Sequence, residues 1–525
     1  MMDNNKNIIV EIYKAAKKHD ADLLKRYNDK NLSDGDYFWC AINEDIMSNV
    51  QSLILHHTIN NIESPLVDNN CRSILEAIAL ARMYKSGKIT ALQLKIFRYS
   101  YALVETDNYK KIQKTIDLKT PEEIQHDKEL ALNLFAEQFS ITRSELDKLI
   151  KGEKNKKKRL FLQDPLSFLA SSPSELSTIK YIELIKENIG IQHIEDLYSI
   201  FSIFEHPRYD EDDKYESIFL KSRESFIAII LGLVRGYFNT HKFFLVDGSD
   251  ISDDSADIFE SEHKKTNIIG LQMHDLIFKD LVHQLATYGD SYDGMCLFVL
   301  RKLQCYAKSM FITRHRGLHE QTLSAFRSFA EFISVVNCIN MLDLKAFYAT
   351  RNAYTYSSRI QVVNLINKIT NSNLVIDDQK LLKAFNDYYK EAYAIKDFEQ
   401  FKENIKKNNR YVIKKFDNSY TNLVSNYFDP EFSKSTEFKN QYTTIYKFAL
   451  DLSHASGYSF NSSINIAEAN ADSAYLLVWN SIKLYVERYY ESKKDHGYYA
   501  DISKSLLIIQ EFINALSSEL DKKYP

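Results

Sequence analysis

Thirteen glycines and seven prolines are too few to turn a chain of 525 residues many times. Together they make up roughly 4% of it, against about 12% in ordinary globular proteins. An all-β chain needs a turn every ~8–12 residues and draws on Gly and Pro to make it. Long helices need few turns, so the shortage points to an all-α fold. Segments such as "IMSNVQSLILHH" (Ile46 to His57) and "LLVWNSIKLYVERYY" (Leu476 to Tyr490) space their apolar residues at the helical period. Helix starts recur as well. "TPEE" (Thr120 to Glu123) sets a Thr cap before Pro and two acids, and "TRSE" (Thr142 to Glu145) is a capping-box pattern. "DPLSFL" and "SPSELSTI" start helices by the same logic. No run of alternating strands stands out.

The length exceeds one typical core, so two or more domains are expected. "DGSDISDDSADIFESE" (Asp247 to Glu262) carries seven acids and no base. Such a segment reads as a solvated linker, and it splits the chain into nearly equal halves. "KGEKNKKKRL" (Lys151 to Leu160) reads as a solvated loop, with phosphate contact as the other option. The net charge of −4 gives no global case for nucleic-acid binding. Five cysteines, with no CxxC spacing, argue against a disulfide framework or a zinc knuckle and fit a reduced cytoplasmic setting. The apolar run "FIAIILGLV" (Phe226 to Val234) is too short to cross a bilayer and is expected to form a buried core helix.

Equal halves invite a search for repeats. "LYSIFSIFEHPRYD" (Leu197 to Asp210) matches "IYKFALDLSHASGY" (Ile445 to Tyr458). Tyr198 lies eight residues before His206, and Tyr446 eight before His454. A strongly apolar helix follows in both halves. Upstream, "CRSILEAIAL" and "FRSFAEFISV" both read Arg-Ser-x-x-Glu, as Arg72 to Glu76 and Arg327 to Glu331. From Arg to His the separation is 134 residues in the first half and 127 in the second. Matched order and spacing imply a tandem duplication: a first helical repeat with an N-terminal helical extension (1–246), an acidic linker (247–264) and a second repeat (265–525).

Positions i and i+4 share a helix face, so each Arg pairs with its Glu. Two roles are open: a buried ion pair that fixes helix register, or an Arg held ready to grip phosphate. The histidines divide similarly. His206 and His454 suit a helix C-terminus on dipole grounds, and they also suit general acid–base work. With Arg stabilising charge on phosphate and His moving protons, such a set fits phosphodiester chemistry.

"RHRGLHEQ" (Arg314 to Gln321) reads Arg-His-x-x-x-His through Arg314 and His319. This resembles the Arg-polar-x-x-x-His signature of the HEPN superfamily (higher eukaryotes and prokaryotes nucleotide-binding). Members usually carry the motif on a late helix, whereas here it opens the repeat. The first half has His56 and His57 in the corresponding region but no matching Arg. The paired Arg-Ser-x-x-Glu and Tyr/His patterns are also similar to a widespread bacterial helical family of unknown function with a general likeness to HEPN bundles. These resemblances imply two tandem helical bundles, arranged as an internal pseudo-dimer. They imply a bacterial antiviral defence or stress effector of the abortive-infection type that cleaves RNA without a metal or cofactor. The implied site residues are His454, Arg327, Glu331, His206, Arg72, Glu76, Arg314 and His319. The other reading is a non-catalytic scaffold or sensor for a protein or nucleotide partner. RNA, a protein partner or a second copy of the chain are the expected partners, and a membrane is not. P-loop, HExxH and GxSxG motifs are absent from the sequence.

Overall fold

A computed structural model describes residues 32–58, 63–99, 120–151, 181–205, 213–240, 274, 277–279, 281, 291–407, 409–413, 419–429, 436–452, 464–494 and 503–524. Among them the protein is helical throughout, with no strand. His206, His454, the acidic linker, nearly all of the basic loop and the two Ser/Asp-Pro helix starts lie outside the described residues.

The helices are α1 (Asp34–Thr58), α2 (Pro65–Lys85), α3 (Ala91–Tyr99), α4 (Pro121–Gln138), α5 (Arg143–Lys151), α6 (Tyr181–Ile189), α7 (Ile194–Glu205) and α8 (Asp213–Thr240). Further along the chain come α9 (Ser291–His315), α10 (His319–Asn340), α11 (Leu344–Thr370), α12 (Gln379–Ala384), α13 (Phe398–Lys407), α14 (Tyr420–Tyr427), α15 (Thr436–Leu452), α16 (Ile464–Lys494) and α17 (Ser503–Lys523).

The expected starts are built as the residues dictate. Thr120 caps α4 in a reciprocal capping box with Glu123, and Pro121 occupies the first turn. Thr142 and Glu145 exchange the same bonds at α5: Thr142 N donates to Glu145 Oε2 at 2.7 Å and Glu145 N to Thr142 Oγ1 at 3.3 Å. Ser64 caps α2 ahead of Pro65. The tight corner between α9 and α10 turns on Gly317, whose φ of +71° is costly for any residue with a Cβ.

Two helices organise the packing. α2 is buried without a break from Pro65 to Ala81, and α10 from Gln321 to Ile339. A helix apolar or paired on every side belongs at the centre of a core. α1, α6, α7 and α8 pack on α2, whereas α9, α14, α15 and α16 pack on α10. The order along the chain is the same in both sets. α2 and α10 also pack on each other, and the buried residues of both halves form one continuous core from Tyr37 to Leu520. A smaller core of Leu132, Phe135, Ala136 and Leu146 joins α4 to α5 apart from it.

The "FIAIILGLV" segment lies in α8 as expected of a core helix, but on one face only. Phe226, Ile227, Ile230 and Val234 are buried, while Ile229 is exposed. No helix among the described residues is long and apolar enough to cross a membrane.

Candidate functional site

Each central helix carries its Arg-Ser-x-x-Glu motif at mid-length, where neighbours cover every face. In α2 the Nε of Arg72 lies 3.4 Å from Oε1 of Glu76, and both are buried. In α10 the Nε of Arg327 donates to Oε1 of Glu331 at 3.2 Å, again inside the core. The i,i+4 geometry expected for these pairs is present in both.

A third residue joins each pair from a different helix. Tyr198 of α7 donates its hydroxyl to Oε1 of Glu76 at 2.7 Å. Tyr446 of α15 donates to Oε1 of Glu331 at 2.9 Å. In the second half one carboxylate oxygen accepts from both the guanidinium and the phenol; in the first it accepts from the phenol and lies within ion-pair range of Arg72 Nε, and the resulting clasps fasten α7 to α2 and α15 to α10. Burial, and next the Glu331 charge, raises the Tyr446 phenol well above its ordinary range. The tyrosine is therefore a fixed donor and not a proton carrier near neutrality. The repeat pattern marks both tyrosines in the sequence. Their bond to Glu spans 122 residues in one half and 115 in the other, and no local signal announces it.

Arg314 and His319 flank the α9–α10 corner. Arg314 does not stand free: its Nε meets Oδ1 of Asp472 on α16, and its Nη2 donates to Glu519 of α17 at 2.9 Å. Lys523 and Tyr524 converge on the other Asp472 oxygen at 2.8 and 2.9 Å. Half-buried His319 lies in the field of this network, and its Nδ1 has no hydrogen-bond partner among the described residues. Burial lowers its pKa, with Lys523 and Arg314 pushing the same way and Glu468 and Asp472 opposing. Arg72, Glu76 and Tyr198 thus form one group, Arg327, Glu331 and Tyr446 a second, and Arg314 with His319 a third.

Sequence reasoning passed over several buried polar groups of the first half. Arg223 of α8 grips Asp68 of α2 through two contacts, Nε to Oδ1 at 2.9 Å and Nη2 to the second oxygen. Its Nη2 also donates to the Ser64 carbonyl at 2.6 Å. His56 holds the Ser52 carbonyl through Nδ1 at 2.7 Å, and burial drives its pKa down to about 4. Asp45 is buried in α1. Only the charge on an otherwise apolar stripe hints at these residues, because their partners are remote. Among the described residues no group of three or more His, Cys, Asp or Glu is arranged to hold a metal ion.

Fold and site together define an all-α protein in which two central helices are each fastened by a buried Arg–Glu–Tyr clasp. Compared with family models, curated proteins and solved structures, the chain finds no match.

Proposed function

We propose that the halves are copies of one helical unit, packed as an internal pseudo-dimer, and that the assembly is a non-catalytic scaffold or sensor for a protein or nucleotide partner. The burial of the clasps carries this reading. Arg72 is 3% exposed and Arg327 6%, and each is turned to its own glutamate. A guanidinium that stabilises charge on a reacting phosphate has to touch it. Arg314 is likewise engaged, by Asp472 and Glu519. The matching order of helices around α2 and α10, and their mutual packing, support the pseudo-dimer.

A second reading, the metal-independent RNA-cleaving defence effector, draws on a different observation. In both halves the tyrosine of the clasp precedes a histidine by the same eight residues, His206 and His454. His319 also keeps a ring nitrogen without a hydrogen-bond partner among the described residues. One experiment separates the two. The full chain is expressed in bacteria beside His206→Ala, His454→Ala and His319→Ala, and total RNA integrity and growth are followed before and during phage infection. Scaffold function predicts intact RNA with every protein. Cleavage by the wild type that disappears in a folded histidine variant overturns it and identifies the histidine responsible.

A further inference from the structure

The place where α1 packs on α2 around Asp45 holds more carboxylate than cation. Asp45 on α1 is 8% exposed. Its Oδ1 accepts from Asn49 Nδ2 at 2.9 Å, whereas Oδ2 is buried with no hydrogen-bond partner among the described residues. Two acids act on it: Glu76 on α2 and Glu44 beside it on α1. Of the cations on α2, Arg72 is paired with Glu76, Arg82 donates to the Asn188 and Ile189 carbonyls, and Lys85 sits over the Trp39 ring. α3 also packs on α1, but its Arg98 is held by Asp34 at 2.9 Å at the start of the helix. α9 lends no charge that acts on Asp45.

We infer that the protein keeps a releasable proton on Asp45, and that losing it loosens the packing of α1 on α2. An ionised Asp45 adds a charge to a water-poor site already occupied by Glu76, which is strongly unfavourable. The neutral acid removes that charge and turns the orphaned Oδ2 into a hydroxyl donor. Burial first, and then Glu76, push the Asp45 pKa up to about 8 against the pull of the Asn49 hydrogen bond. The folded pKa lies above the unfolded value of 3.8. This group's stabilising effect is therefore fully present below about pH 4 and lost as pH rises through about 8. The switch rests on the packing of α1 against α2 and is independent of the proposed scaffold role.

The test compares full-length wild type with Asp45→Asn, an isostere of the neutral acid. Thermal unfolding is followed from about pH 6.5 to 9.5, a window in which neither His56 nor ordinary carboxylates titrate. Hydrogen exchange of residues 34–58 and 65–85 is measured over the same range and corrected for the intrinsic pH dependence of exchange. The wild-type Tm is expected to fall by several degrees as pH rises, with faster exchange in both segments. Asp45→Asn should remove both trends and melt higher than wild type at pH ~9. An unchanged slope in the variant overturns the switch. Failure of Asp45→Asn to fold overturns it equally, because the neutral side chain is the proposed native form.

Discussion

The two clasps use the same three residue types, and the helices beside them differ in the polar groups they bury. Among its apolar residues α1 buries Asn43, Asp45, Asn49, Gln51, Ser52 and His56. The first helix to pack on α10, α9, buries Val299, Leu300, Leu303, Tyr306, Ala307 and Met310, with Ser309 and Thr313 as its buried polar residues. Aromatic rings complete that side: Phe329 and Phe332 pack edge-on or tilted against Tyr306, and Trp479 packs against Phe512 at 4.9 Å. The long final helix changes its polarity as well. α8 supplies a cation, Arg223, to Asp68, whereas α16 supplies an anion, Asp472, to Arg314 and Lys523. A buried charge tolerates little change unless its partner changes with it. Both halves hold an Arg–Glu–Tyr clasp, and each satisfies its remaining buried charges with different residues.

The largest expected effect breaks the first half alone. Asp68→Ala removes the carboxylate from Arg223, which is 4% exposed. Stripping one partner from a buried pair costs about 3–5 kcal/mol. A urea midpoint within error of wild type would mean that Arg223 finds water, and that the first half is less closed than its burial implies.

A second effect of similar size is also confined to the first half. His56 has its pKa lowered from 6.5 to about 4, so it stays neutral when folded. Its contribution is present above pH ~6.5 and is lost as the pH falls toward 4, a matter of about 3 kcal/mol. Asp45 acts with the opposite sign over that range. His56→Phe should therefore raise stability at about pH 4.5 relative to that at about pH 6.5, compared with wild type, as read from denaturant unfolding. The described residues of α9 bury no histidine at all.

The smallest effect asks whether the clasps are equivalent. Tyr198→Phe and Tyr446→Phe each delete one hydrogen bond to a carboxylate, worth about 1.5–3 kcal/mol. Equal losses of stability would sharpen the parallel between the halves. A clear inequality would show that one clasp is held by its surroundings and the other by its own bonds.

Much of this architecture is legible in the order of the residues. Scarce Gly and Pro, helical spacing and the Thr–Glu capping boxes lead correctly to an all-α chain. The two Arg-Ser-x-x-Glu motifs are recognisable as ion pairs because i,i+4 geometry is local. The bonds from Tyr198 to Glu76 and from Tyr446 to Glu331 are not legible, since each joins helices more than a hundred residues apart. Arg314 looks available in the sequence. Asp472 and Glu519, which occupy it, arrive from the far end of the chain.

The amino-acid order alone determined which segments are helical, where several begin, and that one pattern occurs twice. These follow from interactions within a few turns, where spacing is sufficient information. Tertiary structure decided which charges lose water and what replaces it. Arg72, Arg327, Arg314 and Asp45 are all charges on amphipathic helices by sequence. The packing seals two in clasps, leaves one in a partly exposed network, and crowds the last against other acids. Burial depends on every helix that packs over a residue, and no local stretch contains that information.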